Sequence, residues 1–325
     1  MRRFIITLLA LVLISAACAT ESTGGDDGPT VVVTTTVLGD IVGEVVGEAG
    51  SIEVLMPIGA DPHDFSASSA QVAAVNKADL VVANGLGLEE GLEDVLEAAV
   101  DDGVTVLWVA ELVDPLPYSD SHEDEDHEED HEGDHEGDDE GDHEEGDHVE
   151  GDEHDHGDLD PHVWMDPLRM VDAAAAVAAA LEVIEAGGPW GENAAEYGVE
   201  LEELHAEIDG VLEVVEVDQR KLVTNHEALG YFADRYGFEL VGVVIPGGST
   251  LGEPSSAELA ALVATMESEG VDVVFAETTE PSALAEALVD ELGEDARVVE
   301  LFTGSLGGDG SGAETYIDML RTNAE

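Results

Sequence analysis

Three histidines stand in local sequences that suit a metal ligand. His63 and His162 each follow an Asp-Pro pair, and His226 lies between a short β-branched run and a helical pattern. Neutral imidazole is the commonest protein ligand for metals and a regular ligand of zinc. Any one of these residues is more simply explained as a hydrogen-bonded structural histidine. The repeated Asp-Pro-His motif and a third loop histidine together favour a metal site, whereas His205, inside a helical pattern, is predicted to face solvent.

A second group of histidines lies in one acidic run, from Ser119 to Asp158, which contains no Lys or Arg. Imidazoles among carboxylates, with few apolar residues, predict metal binding by a disordered insertion that has no core of its own. Ordering it around an ion costs about 1–2 kcal/mol per residue, so we expect weak, accessory binding. A solvated acidic linker is the alternative, but it does not explain the histidines. The histidines of the run are His122, His127, His131, His135, His143, His148, His154 and His156.

The elements that must position the three isolated histidines are short β-branched runs that alternate with helical patterns. This alternation predicts an α/β fold with two lobes, each a four-stranded, mainly parallel sheet flanked by helices. Four strands are expected between residues 31 and 109, and four more between residues 221 and 301. His63 then follows the second strand and His226 follows the fifth. Loops at the carboxyl ends of such strands commonly bind ligands, so a cleft between the lobes is the expected site.

A long helix is expected between the two lobes, because apolar residues from Leu201 to Val215 recur at helical spacing without a breaker. The predicted division of the chain has five parts. They are a signal peptide (1–17), a flexible tether (18–29), an N-terminal lobe (30–187) that carries the insertion (119–158), a linking helix (188–217) and a C-terminal lobe (218–325).

The N-terminus has the pattern of a targeting signal. Arg2 and Arg3 precede an apolar stretch too short to span a membrane comfortably, and small residues then lead to Cys18. This order is typical of a bacterial lipoprotein signal, in which the cysteine receives the lipid, although Ser15 stands where a Leu-like residue is usual. An ordinary signal peptide with an incidental cysteine is the alternative. We expect a protein on the outer face of the bacterial cytoplasmic membrane, held there by a lipid anchor at Cys18.

Charge restricts the partners of the chain. Its 325 residues are 44% hydrophobic, which is enough for two cores, and its formal net charge is −68. A charge of this size argues against nucleic acid or anionic lipid as an electrostatic partner and favours cations. Adaptation to high salt would explain an acidic surface but not the histidines. With no second cysteine, no intrachain disulfide can form, and we expect a monomer.

The motifs, taken in order, resemble those of the metal-binding lipoproteins of bacterial ABC importers for zinc and manganese. The similarity covers residues 61–65, residues 160–164, and His226 with residues 230–232, together with the histidine-rich insertion. It implies two lobes joined by a rigid helix, a metal held between them by His63, His162 and His226, and a membrane permease with its ATPase as partners. Manganese members tend to have a carboxylate in place of His226, and imidazole suits zinc, so Zn(II) is expected rather than Mn(II).

The fourth ligand departs from the family pattern. Members usually supply a carboxylate from the loop after the last strand, where this chain has Gly304. The candidates for the open position are Glu277, Asp61, a residue of the acidic run, or water, with water and Glu277 preferred. We also expect Asp61, Asp64, Asp160 and Asp166 to orient the ligating rings or to form turns and caps.

The expected function is therefore capture of Zn(II) outside the cytoplasm and its delivery to a permease, without catalysis. One alternative is a zinc hydrolase, since three histidines and an open position also hold catalytic zinc. No helix that carries a His-Glu-x-x-His motif is predicted to support it, since that pattern occurs only within the acidic run. The other is a surface metal buffer or adhesin that uses the same site without a transporter.

Overall fold

The computed structural model describes residues 28–118 and 159–325. The predicted signal peptide and lipid-attachment residue Cys18, most of the tether, and the insertion with its eight histidines lie outside the described residues. Within the described part, no helix combines the length and the apolar character needed to cross a membrane.

The first sheet is built from four parallel strands in the order β2-β1-β3-β4. Val31, Val32 and Val33 of the central strand are fully buried, because helices or loops cover both faces of the sheet. A helix follows each of the first three strands. The elements are β1 (Thr30–Val33), α1 (Thr36–Val46), β2 (Ser51–Val54), α2 (Ser69–Val75), β3 (Leu80–Ala83), α3 (Glu93–Asp101) and β4 (Val106–Trp108).

A helical hairpin separates the two sheets along the chain. Its first helix, α4 (Pro167–Ile184), begins with a proline at N1 and is capped by the Asp166 carboxylate, which accepts from the backbone N–H of Leu168. Its second helix, α5 (Trp190–Leu212), is the long helix that the apolar spacing predicted. The two helices pack along each other and against α1.

The second sheet repeats the first, with four parallel strands in the order β6-β5-β7-β8. The fold prediction of two four-stranded parallel α/β lobes is thus confirmed. The elements are β5 (Lys221–Thr224), α6 (Gly230–Tyr236), β6 (Glu239–Val243), α7 (Ser256–Glu269), β7 (Val273–Glu277), α8 (Ala283–Leu292), β8 (Arg297–Leu301) and α9 (Tyr316–Ala324).

The buried apolar residues form one shared core and one outer core for each lobe. The shared core contains residues of α1, α4 and α5 and also Tyr231 and Tyr316 of the second half of the chain. Tyr316 ties α9 to the first lobe, since its hydroxyl donates to the Trp164 carbonyl at 2.6 Å and its backbone N–H donates to Asp40 at 2.9 Å. The lobes are therefore joined by a continuous apolar interface as well as by α5.

Two helices begin only after a turn that follows a strand. A 3-10 turn at residues 90–92 comes after β3 and leads into α3 at Glu93. Residues 226–229 form the turn that carries His226 after β5, and α6 begins at Gly230. Both turns lie at the carboxyl ends of strands, where the backbone places side chains rather than extending a helix.

Candidate metal site

The structure brings His63, His162 and His226 together between the lobes. Each offers a ring nitrogen, and these three atoms lie within 4.8 Å of one another. Each residue is only 2% exposed. Among the described residues, no other group of three His, Cys, Asp or Glu side chains meets the same criterion. Three segments distant in sequence thus converge on one buried point.

His63 is carried by the loop that follows β2. The Asp61 carboxylate accepts the backbone N–H of His63 at 3.0 Å and so fixes the turn at the Asp-Pro-His motif. Both ring nitrogens of His63 are buried without a hydrogen-bond partner among the described residues. The nearest carboxylate oxygen, Glu90 Oε1, is 3.5 Å from Nδ1. Buried polar atoms are usually paired, so two buried ring nitrogens without a hydrogen bond favour a role for His63 as a metal ligand.

His162 lies just after the insertion and before a 3-10 turn that leads into α4. The Asp160 Oδ1 atom is 2.9 Å from the backbone N and 2.7 Å from ring Nδ1 of His162, and it accepts from both. This pairing places the proton on Nδ1 and leaves Nε2 as the free lone pair, which is the usual arrangement for a metal-ligating histidine. The ring also packs edge-on against Trp164, with centroids 5.3 Å apart.

His226 occupies the turn between β5 and α6, at the carboxyl end of a central strand. Its Nδ1 is hydrogen-bonded to Glu277 Oε1, which stands at the end of the neighbouring strand β7. The other oxygen of Glu277 accepts from the Thr303 hydroxyl. Both oxygens are therefore occupied, and Glu277 holds His226 from the side away from the other two rings.

The Nε2 atoms of His162 and His226 are 3.1 Å apart. Two ligands on a tetrahedral zinc with bonds of about 2.0–2.1 Å would be separated by about 3.3 Å. Since each neutral ring donates a hydrogen bond from Nδ1–H to a carboxylate, two Nε2 lone pairs face each other across this gap. Only a cation between them, either a proton or a metal ion, satisfies both nitrogens.

The protonation of the three rings differs. Burial, together with the neighbouring His162 and His226, lowers the pKa of His63 to about 4. Burial and the nearby His226 likewise put the pKa of His162 well below its ordinary value. Burial also opposes a charge on His226, but the Glu277 carboxylate outweighs it and raises the pKa of His226. Burial raises the pKa of Asp160 to about 7.

The four aspartates expected to support the rings have different roles. Asp160 contacts the ring of His162, whereas Asp61 contacts only the backbone of His63. Asp166 caps α4 and forms an ion pair with Arg235. Asp64 is exposed. His205, expected to face solvent, is instead half-buried, with Nδ1 3.3 Å from the Tyr236 hydroxyl, because it lies on the inner flank of α5.

Gly304 lies at the contact between the lobes. A β-carbon added there would be 2.9 Å from Cδ of Pro62 and 3.4 Å from the Thr279 hydroxyl. A side chain at this position would require the Pro62 loop to move. The close approach of the two lobes therefore leaves little room for a side chain at Gly304.

A loop of the second lobe closes the mouth of the site, a feature that the sequence analysis missed. Three consecutive residues contact the first lobe: Gly248 packs under the Tyr118 hydroxyl, Ser249 donates to Glu90 and Thr250 donates to Asp61. Its Gly-Gly-Ser-Thr sequence after a strand signals a loop, but not what the loop touches. These contacts explain why the three histidines are almost fully shielded from solvent.

Comparison with known proteins gives a family match across nearly all of the described chain. The profile of the family described as "Zinc-uptake complex component A periplasmic" (ZnuA) matches residues 31–325. The chain is 29% identical to the manganese-binding lipoprotein MntA of Halalkalibacterium halodurans over 99% of this chain and 96% of that protein. It is 28% identical to the zinc-binding lipoprotein AdcA of Streptococcus pneumoniae strain R6 over 98% of this chain, which spans 58% of the length of AdcA.

Among solved structures, the periplasmic zinc-binding protein TroA of Treponema pallidum is similar throughout. The two folds superpose with a TM-score of 0.73 at 26% identity, covering 91% of this chain and 96% of TroA. These relatives are metal-binding proteins and none is named as an enzyme, which argues against the zinc hydrolase. Their names include both zinc and manganese.

Proposed function

The chain belongs to the zinc-uptake complex component A family, the extracytoplasmic metal-binding components of ABC metal uptake, and from this premise we propose that its cargo is Zn(II). In this proposal His63, His162 and His226 bind the ion between the lobes, and the loaded protein delivers it to a membrane permease driven by an ATPase. A lipid at Cys18 keeps the protein on the outer face of the cytoplasmic membrane.

The observation that carries the proposal is the convergence of three buried imidazoles whose facing nitrogens have no carboxylate or hydroxyl partner among the described residues. The His162 and His226 rings are oriented by carboxylates on their outer nitrogens, and His63 has no hydrogen-bond partner at either ring nitrogen in the described chain. Orienting a ligand in advance lowers the entropic cost of binding. This arrangement supports tight binding of a small cation.

Zinc is favoured over manganese by the chemistry of the donors. The converging group contains three nitrogens, and no carboxylate of the described chain joins it. Zinc accepts three imidazoles in a tetrahedral site, whereas manganese prefers oxygen ligands in an octahedral one. With Gly304 at the family's carboxylate position and both oxygens of Glu277 occupied, we assign the fourth position to water. The insertion at residues 119–158 acts as a weaker collector of metal beside the site.

The test is a competition titration with Zn(II) and Mn(II), with bound metal measured directly, on the wild type, His162→Ala and His205→Ala. The wild type should retain one tightly held zinc in the presence of excess manganese. His162→Ala should lose it, and His205→Ala, which removes an imidazole outside the site, should not. Retention of manganese instead of zinc would contradict the metal assignment, and equal losses in both variants would contradict the site.

Delivery is tested separately in cells. Deleting residues 119–158 should leave the tight site and remove weaker ones. A strain that lacks the gene should grow poorly when zinc is limiting and recover with the wild type but not with His162→Ala. Normal growth of the deletion strain would favour the surface buffer or adhesin, which binds metal without importing it.

A further inference from the structure

The loop after β3 holds an unusual backbone close to the site. Gly85, Leu86 and Gly87 all have positive φ angles, of 87°, 54° and 77°. Left-handed backbone is routine for glycine but uncommon for leucine, which lacks the side-chain hydrogen bonds that help Asn or Asp adopt it. Such conformations persist where the surroundings over-determine them, and they are often found near functional sites.

A buried carboxylate fastens this loop. Glu89, which is 4% exposed, accepts the Thr34 hydroxyl at 2.6 Å and the backbone N–H of Asn84 at 2.7 Å on one oxygen. Its second oxygen accepts the backbone N–H of Gly85 at 3.0 Å. Glu89 therefore links the ends of β1 and β3 and fixes the residue with which the loop begins. None of these hydrogen bonds involves the three histidines of the metal site.

Asn84 carries the connection to the site. It is fully buried, and its side-chain amide donates to the Pro161 carbonyl at 2.8 Å and to the Gly85 carbonyl at 3.1 Å. The Pro161 carbonyl belongs to the peptide unit that joins Pro161 to His162. A hydrogen bond to that oxygen restrains the plane of this peptide and hence the direction in which the His162 ring leaves the backbone.

The same loop also reaches the other ligand of the first lobe, since Glu90, directly after Glu89, is the carboxylate 3.5 Å from the His63 ring. His162 follows the insertion, and His63 lies in the long loop between β2 and α2. Neither histidine therefore has a strand both directly before it and directly after it. The loop after β3 contacts both of their segments. It therefore links the segment of His63 to the segment of His162.

We propose that Asn84, held by Glu89, is a positioning residue of the metal site that fixes the peptide before His162 and thereby the approach of its Nε2 atom to the ion. This inference rests on the proposed function. Asn84 does not touch the metal. Its removal should leave the three imidazoles in the protein but misalign one of them.

The experiment compares Asn84→Ala with Asn193→Ala. Asn193 offers a matched control, because its amide also donates to a backbone carbonyl of the first lobe, that of Val45 at 3.0 Å, away from the site. Each variant is measured for zinc affinity by chelator competition, for the visible spectrum of bound Co(II), and for the melting temperature without metal. Loss of a group that orients a ligand typically weakens metal binding by 10- to 100-fold.

We expect Asn84→Ala to weaken zinc binding by about tenfold and to change the Co(II) bands, which report ligand geometry. Asn193→Ala should lower the melting temperature while leaving affinity and spectrum unchanged. Glu89→Gln, which keeps the volume but presents an N–H group to a backbone donor, should shift affinity and spectrum in the same direction as Asn84→Ala. It supplies the answer if Asn84→Ala does not fold.

Two results overturn the inference: unchanged affinity and spectrum in the folded Asn84 or Glu89 variants, or an equal loss in Asn193→Ala. These results differ from failure of the proposed function. In that case the wild type itself would bind no zinc, or His162→Ala would bind as well as the wild type. A wild type that depends on His162 but is indifferent to Asn84 would refute only the positioning role.

Discussion

The two lobes prepare their imidazoles in opposite ways. The first lobe contributes His63 and His162, whose pKa values burial and the neighbouring imidazoles lower, so both are neutral near pH 7. The second lobe contributes His226, whose pKa is raised because the buried Glu277 carboxylate outweighs burial. The first lobe thus offers His63, which has no carboxylate hydrogen bond, and His162, whose partner Asp160 has a pKa raised by burial to about 7. The second lobe offers a ligand together with the ionised carboxylate of Glu277.

This difference indicates what the metal replaces. Without an ion, a proton on His226 can bridge the 3.1 Å gap to Nε2 of His162 while Glu277 balances its charge. Burial opposes ionisation of Glu277, but His226 lowers the pKa of Glu277 below its usual value, so its negative charge is present in the site. A divalent ion that displaces the proton would be bound by the neutral imidazoles of His63 and His162 and by His226, which is hydrogen-bonded to the Glu277 carboxylate. The second lobe therefore adds the ionised Glu277 carboxylate as a counter-charge for the bound ion.

Removing one ligand from each lobe tests this contrast most strongly. Both His63→Ala and His226→Ala should weaken zinc binding by at least about 100-fold, because a binding free energy of about 10–16 kcal/mol is shared among a few ligands. Their effects on the metal-free protein should differ. His226→Ala leaves Glu277 buried without its partner and should cost roughly 3–5 kcal/mol in the free energy of unfolding.

His63→Ala, in contrast, removes two unpaired ring nitrogens and should change the metal-free stability far less. Chelator competition gives the affinities, and denaturant unfolding without metal gives the stabilities. Equal destabilisation by the two variants would show that the lobes do not differ in the way described.

The pH dependence of binding is the next largest effect. Three ordinary histidines, with pKa values near 6.5, would each release a proton to the metal, so log affinity would change by nearly three per pH unit between pH 5 and 6. Here the pKa of His63 is about 4 and that of His162 is also low, so neither competes in this range. The competing protons are those on His226 and Asp160, whose pKa values are raised.

We therefore expect affinity to fall by about tenfold to a hundredfold from pH 6 to pH 5, a slope of one to two. Zinc titrations at several pH values, with a chelator of known proton affinity, measure the slope. A slope near three would mean that the imidazoles of the first lobe titrate like those of the second.

Much of this contrast could not be predicted from sequence. The alternation of strands and helices was sufficient for two parallel sheets, and the carboxyl-end rule was sufficient to bring His63 and His226 into one cleft. The sequence suggested Glu277 only as one candidate for the fourth ligand, whereas the structure pairs it with Nδ1 of His226. The register of β7 against β8 and the side-chain rotamers determine which carboxylate oxygen of Glu277 faces His226. They also determine that Thr303 binds the other oxygen.

The support for His162 was hidden for a similar reason. Asn84 and Glu89 are 77 and 72 positions before Pro161 and could be read only as strand-end and helix-start residues. The signal that could have identified them is their location, since Asn84 directly follows β3, whose carboxyl end faces the cleft. The hydrogen bond from Asn84 to the Pro161 carbonyl spans the segment that contains the insertion, and no local pattern encodes such a contact.

Glu277→Gln tests the counter-charge by itself. The amide oxygen can still accept from Nδ1 of His226, so the ring should keep its orientation while the site loses its negative charge. We expect zinc affinity to fall by about tenfold, at the lower end of the range for groups that orient ligands. The pKa of His226 should also fall, so binding should become less sensitive to pH around neutrality.

Glu300→Gln, an exposed carboxylate on the neighbouring strand β8, is the matched control and should leave both properties unchanged. Paired measurements of affinity at pH 6 and pH 7.5 separate the two effects. An unchanged pH dependence in Glu277→Gln would assign the counter-charge to another group.

The smallest expected effect concerns the loop that joins the lobes at the mouth of the site. Thr250→Val removes the hydrogen bond to Asp61 but leaves every group that contacts the ion. A single hydrogen bond contributes about 1 kcal/mol, so release of zinc to a chelator should accelerate by about fivefold, as followed by stopped-flow.

Thr105→Val, at an exposed threonine of the first lobe, controls for the loss of a hydroxyl. Because Thr250 joins the two lobes but is not one of the three imidazoles that hold the ion, the variant should speed binding and release together and change affinity little. A large loss of affinity with an unchanged release rate would instead mean that Thr250 acts through Asp61 on the orientation of His63.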